Sequence, residues 1–167
     1  MANARTLQVT TPTDREIMIT RSFDAPRRLV FDAWTKPELI KRWLVGPEGW
    51  TMPVCEIDLR VGGAYRFVWR KTDGAEMGMR GVYREIVAPE RIVGTELFDM
   101  DWTGGETVST IVLAEQGGKT TLTQTVLYSS KEARDGALRS NMTEGMESSY
   151  ARLDAVLVTA RDTKGAA

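Results

Sequence analysis

From Glu16 to Phe23 the chain alternates, with Ile17, Ile19 and Arg21 on one side and Met18, Thr20 and Ser22 on the other. That period of two predicts a strand. Helical spacing follows. Asp24 is expected as an N-cap with Pro26 in the first turn, where a missing N–H costs least, and Val30, Phe31 and Trp34 carry the helix on. Pro37 opens a second short helix with Leu39, Ile40 and Trp43 on one face, and Gly46-Pro47-Glu48-Gly49 ends it. Period two then returns, predicting strands over 54–59, 64–70, 77–87, 91–98, 107–114 and 120–127. Thr72-Asp73-Gly74 and Gln116-Gly117-Gly118 are hairpin signals between them. Links this short join antiparallel neighbours. After Tyr128 helical spacing resumes. Ser129 with Glu132 reads as a capping box, Asn141 with Glu144 as a second cap, and a last helix over about 142–161 stacks Met142, Met146, Ser149, Leu153 and Val156 on one face.

The order is one strand, two short helices, six strands and two helices. An antiparallel sheet of about seven strands has to bury one face, and the last helix is long and apolar enough to cover it. The fold class is therefore α+β, a helix-grip architecture: a curved antiparallel sheet wrapped around a long C-terminal helix, with two short helices between the first and second strands. A cavity remains wherever the facing side chains do not fill the space. Residues 15–161 form the single domain, with a flexible arm over 1–14 and a flexible tail over 162–167.

Composition narrows the chemistry. A length of 167 residues suits one domain. Lys plus Arg total 22 against 23 Asp plus Glu, a net charge of -1, so no basic field draws nucleic acid or an anionic membrane. No apolar run approaches the ~20 residues of a membrane span. With no histidine and only Cys55, the chain has no Ser-His-Asp or Cys-His nucleophile and no zinc site built on those residues. No metal or cofactor is implied. An intramolecular disulfide is ruled out, which fits a reducing compartment. The polar, Thr-rich start lacks the apolar stretch of a signal peptide, so a cytoplasmic protein is expected, monomer or homodimer.

Three blocks carry a resemblance: Arg42-Trp43-Leu44-Val45-Gly46-Pro47-Glu48-Gly49-Trp50, then Asp58-Leu59-Arg60-Val61-Gly62-Gly63-Ala64-Tyr65-Arg66-Phe67, then Gly81-Val82-Tyr83-Arg84-Glu85-Ile86-Val87-Ala88-Pro89-Glu90-Arg91-Ile92-Val93. In this order they resemble the family related to the C-terminal domain of the activator of the heat-shock protein 90 ATPase. That family lies within the START/polyketide-cyclase/pollen-allergen-like superfamily of helix-grip proteins. The resemblance covers about residues 15–158 and implies a cavity under the last helix that takes a lipid-like, sterol-like or polyketide-like molecule. Fold analogy does not assign chemistry, so three functions stay open. They are binding of a small hydrophobic ligand without covalent catalysis, a cyclase or hydrolase in the same cavity, and a co-chaperone-like activator of the heat-shock protein 90 ATPase.

The candidate ligand-binding residues are Trp43, Trp50, Tyr65, Phe67, Trp69, Met77, Met79, Tyr83, Trp102, Met142, Met146 and Ser149. Tyr65, Phe67 and Trp69 form an aromatic row at strand spacing, which is either sheet core or the wall of a cavity. Met77 and Met79 come from a middle strand and Met142 and Met146 from the helix opposite; methionine fills irregular gaps and recurs in adaptable binding surfaces. Members of the resembled family often carry an aromatic residue where this chain has Met146. Trp50 and Trp102 are expected in loops, where a large aromatic side chain points to binding. No residue pair stands out for catalysis. Gly117-Gly118-Lys119-Thr120 is a turn and not a phosphate loop, because Leu113 occupies the place of the first glycine. Glu56, Asp58, Arg60 and Arg66 are expected on a solvated outer face, and Glu96, Asp99, Asp101 and Glu106 as solvated charge near a loop.

Overall fold

The computed structural model describes residues 7–140 and 142–165. Its strands are β1 (Gln8–Thr10), β2 (Glu16–Phe23), β3 (Trp50–Ile57), β4 (Ala64–Lys71), β5 (Glu76–Val87), β6 (Arg91–Phe98), β7 (Thr107–Gln116) and β8 (Lys119–Leu127). Helices α1 (Arg27–Thr35) and α2 (Pro37–Trp43) lie between β2 and β3, and α3 (Lys131–Arg139) and α4 (Met142–Gly165) close the chain. The strands form one antiparallel sheet in the order β1-β2-β8-β7-β6-β5-β4-β3. The architecture is the expected α+β helix-grip fold.

Several local expectations are corrected. The sheet has eight strands, because Gln8–Thr10, within the segment expected as an arm, pairs with β2. All of its side chains are exposed, so no alternation marks it in the sequence. At the other end α4 runs past 161 to Gly165. Residues 1–6 and 166–167 of the expected arm and tail, and the expected cap Asn141, lie outside the described residues.

Helix α1 is capped at Pro26 and not at Asp24; its first N–H is met from across the fold by Glu115, whose Oε1 accepts from Arg27 N at 2.7 Å. Helix α3 is capped by Ser130, whose hydroxyl accepts from Ala133 N at 3.0 Å, while Ser129 donates to Gly104 O. A one- or two-residue error at a helix start is the ordinary ambiguity of cap signals. Trp50 opens β3 and is not in a loop. Beyond it the register shifts between Thr51 and Val54, across Pro53, which has no N–H to give and is tolerated on this edge strand.

The core fills two regions. Ile17, Ile19, Leu113 and Leu122 pack on the inner face of β2, β7 and β8, while Val30, Ile40 and Trp43 pack between the short helices and α4. Each such fully buried side chain contributes roughly 1.5–3 kcal/mol. Helix α4 is tied to the sheet near its middle by Phe23 against Tyr150, with ring centroids 5.5 Å apart. There Arg21 also donates to both Asp154 carboxylate oxygens at 2.8 and 2.7 Å, with its guanidinium over the Phe23 ring. Towards its start α4 stands away from the strands, and the space between is a cavity.

Candidate ligand cavity

The cavity has a volume of about 630 Å³ and is walled by the sheet from β2 to β8, by α4 and by the segment 44–47. Strand pairing explains why so many apolar groups converge. Phe67 lies opposite Met79, which lies opposite Phe98, and Trp69 lies opposite Met77. Side chains opposite one another project from the same face, so each row adds wall. From the helix, Met142, Gly145, Met146, Ser149 and Tyr150 face these rows.

Space in the sheet layer comes from two glycines under Tyr65. A Cβ on Gly81 would sit 2.0 Å from Thr95 O and 2.3 Å from Tyr65 Cζ, and one on Gly94 would sit 3.1 Å from the Tyr65 hydroxyl. The tyrosine ring lies flat across them and its hydroxyl donates to Thr95 O. Burial, with the nearby Glu96 charge, holds the Tyr65 phenol well above its ordinary pKa.

Trp50, Tyr65, Phe67, Trp69, Met77, Met79, Tyr83, Trp102, Met142, Met146 and Ser149 all face the cavity. Trp43 does not. It is fully buried behind the wall, donates from Nε1 to Ala33 O at 2.8 Å, and packs on Trp34 and Tyr150, which do face the cavity. Its helical spacing with Leu39 and Ile40 put it on the core face of α2. Trp102 is 44% exposed and packs on Phe98 at 5.2 Å, and the exposed Pro47 also borders the cavity, so the mouth lies between them. Trp69 Nε1 donates to Leu44 O at 2.7 Å, holding the near edge of that mouth.

Polar groups form the other end. Gln124 Nε2 donates to Ser109 Oγ at 2.9 Å, and Tyr150 reaches Gln124 Oε1 at 3.5 Å. Glu96 corrects its expected place as solvated loop charge: it is on β6, facing the cavity, opposite Thr107. Removal from water pushes its carboxyl up to about 7. The other acids of that group behave as expected, with Asp99 accepting from Arg66 at 2.8 and 2.5 Å and from Arg80 at 3.2 Å on the outer surface. Phe98, Gln124, Tyr128 and Tyr150 also line the cavity and are not singled out from the sequence, whereas Trp34 lines it as expected. The inward positions of β6, Ile92, Gly94, Glu96 and Phe98, repeat every second residue, and that alternation was the available signal.

Cys55 is buried on β3, and burial pushes its thiol up to about 11, the state of an inert packing group. Among the described residues no group of three His, Cys, Asp or Glu side chains could hold a metal, and no helix is long and apolar enough to cross a membrane.

A single antiparallel sheet gripping a long helix around an apolar cavity defines a helix-grip protein. Within that class the chain belongs to the family described as Activator of Hsp90 ATPase homolog 1-like protein, which it matches over residues 24–158. A crystal structure of a protein from Rhodobacter sphaeroides is 33% identical, with 92% of this chain and 99% of that one covered and a TM-score of 0.87. A Chromobacterium violaceum protein is 29% identical over 85% of this chain and 96% of its own, with a TM-score of 0.71. A Nitrosomonas europaea protein, 23% identical over 91% and 99%, shares the fold at a TM-score of 0.80. No curated protein matches the chain.

Proposed function

We propose that this protein binds a small hydrophobic molecule between the sheet and α4, without covalent catalysis. The observation that carries the reading is the cavity of about 630 Å³ walled by seven strands and a helix, with aromatic and methionine side chains from β3 to β6 and from α4. Ligand pockets of roughly 300–1,000 Å³ with mostly apolar walls and a few convergent polar groups suit molecules of this kind. Methionines on both sides let the wall adapt to an irregular shape. Trp50, Tyr65, Phe67, Trp69, Met77, Met79, Tyr83, Trp102, Met142, Met146 and Ser149 would contact the ligand. A cytoplasmic setting agrees with a single buried thiol.

Organic extraction of the purified protein, with mass spectrometry of the intact complex, tests this directly. A stoichiometric apolar molecule, or saturable Nile red fluorescence, is the expected result. An empty protein that gives no saturable Nile red signal overturns the reading.

A cyclase or hydrolase reading has one observation in its favour, the Glu96 carboxyl held near neutral pH, where a general acid–base group works best. Turnover of an ester or polyketide panel that disappears in Glu96→Gln would support it over simple binding.

A further inference from the structure

Among the described residues, Glu96 is the only Asp, Glu, Lys or Arg in the wall of the cavity. It is aimed there by the pleat of β6, between Gly94, across which the Tyr65 ring lies, and Phe98, which adds an apolar face. Among the described residues no side chain donates to its carboxylate and no Lys or Arg pairs with it; Thr107, opposite, turns its hydroxyl to the Glu96 backbone oxygen. A carboxylate taken from water without a partner is costly. The Gln124 amide, also in the cavity wall, is already engaged with Ser109. The indole N–H of Trp34, a donor without a partner, is itself buried.

From this geometry we infer that the cavity selects hydrophobic molecules bearing a hydrogen-bond-donor head group, an amine or a hydroxyl, seated on the Glu96 carboxylate, and rejects the corresponding carboxylate anion. The inference rests on the reading of the cavity as a hydrophobic ligand site. Charge decides the sign. An anionic head would meet a like charge with no cation in the wall to offset it, and in this low-dielectric space that repulsion is barely screened. A donor head supplies the partner Glu96 lacks. For an ammonium head, Phe98, the next inward residue on β6, adds an aromatic face for cation–π attraction. A fatty-acid anion, suited to the cavity by its tail, is therefore a poor ligand by its head.

Three probes with one tail test it: decylamine, decanol and decanoate, titrated by calorimetry at pH 8 into the parent protein and Glu96→Gln. Decylamine and decanol should bind at least about tenfold more tightly than decanoate, a gap one charge contact readily supplies. In Glu96→Gln, decylamine should weaken and decanoate strengthen, while decanol, whose hydroxyl can still donate to the amide oxygen, changes little. Parent-like melting and circular dichroism of the variant would show that the fold is kept. If decanol binds and decanoate binds as well as decylamine, or if the preference survives Glu96→Gln, the head-group inference falls and the hydrophobic site stands. If none of the three binds, both fall.

Discussion

The Gly46 N–H donates to Ser149 Oγ at 3.0 Å, and the Gly46 carbonyl accepts from Arg152 Nη1. Both polar groups of one backbone residue are thus held by α4, three and six residues beyond Met146 on the cavity side of the helix. Gly46 has φ of +69°, which a side chain would strain, and the segment it anchors contributes Leu44, Val45 and Pro47 to the cavity rim. The last helix is both the roof of the cavity and the latch of its rim.

Loosening that latch should change rates more than affinity. Ser149→Ala removes one hydrogen bond, worth about 1 kcal/mol of stability, and Arg152→Ala the other. Stopped-flow mixing with Nile red should show association and dissociation both several-fold faster in the double variant, with a much smaller change in Kd. Unchanged rates would mean that the probe enters elsewhere.

Glu96 should also mark the pH dependence of stability. The groups facing it are Tyr65 from β4, Tyr128 after β8 and Tyr150 from α4, all held above the ordinary phenol value. None of them ionises between pH 4 and 8. The Glu96 carboxyl, raised from 4.5 to about 7, keeps its proton longer in the folded chain than in the unfolded one. Folding stability therefore declines as pH climbs from the unfolded value through the folded one, by roughly 3 kcal/mol in all. Glu96→Gln should be the more stable protein at pH 8, with its advantage gone near pH 4. Parallel chemical denaturation at the two pH values reads this out, and equal differences at both would place Glu96 in water.

Two glycines of the cavity region should respond oppositely to alanine. A Cβ on Gly145 meets only Pro47 Cδ, at 3.8 Å, so Gly145→Ala gains helix propensity of about 0.8–1 kcal/mol at no steric cost. Gly81→Ala would drive a methyl into the Thr95 carbonyl and the Tyr65 ring, and should melt well below the parent. Thermal melts of the pair check the sign at each position.

Period two and period 3.6 were enough to place Tyr65, Phe67 and Trp69 on one face and to set Met142 and Met146 against Met77 and Met79. They carried the element order too, because each change of period coincides with a turn or cap. Glu96 is hidden for a different reason. It follows the same alternation as Ile92, Gly94 and Phe98, but it stands three residues before Asp99 and near Asp101 and Glu106, and a run of acids in sequence reads as solvated charge. Only closure of the sheet around α4 separates one member from water. Helical spacing puts Trp43 on a buried face without telling core from cavity wall, a distinction made by Trp34 and Tyr150 standing in front of it. The short strand β1 has no buried face and so left no pattern to read.

Met146 offers the most direct measurement of the space itself. It is partly buried on α4, one turn after Met142 on the side facing the sheet, and borders the cavity beside Gly145. Met146→Trp places an indole at this border. Added volume then has two places to go. Into open cavity, the indole buries apolar surface, so the melting temperature should hold or rise while Nile red affinity falls about tenfold as its space is taken. Into packed core, the same indole would force neighbours off their rotamers and cost about 1–3 kcal/mol. Denaturation and probe titration on this one variant give two independent numbers. Held stability with weakened binding is the expected pair, and lost stability in a protein whose parent binds no probe would mean the methionines fill the space themselves.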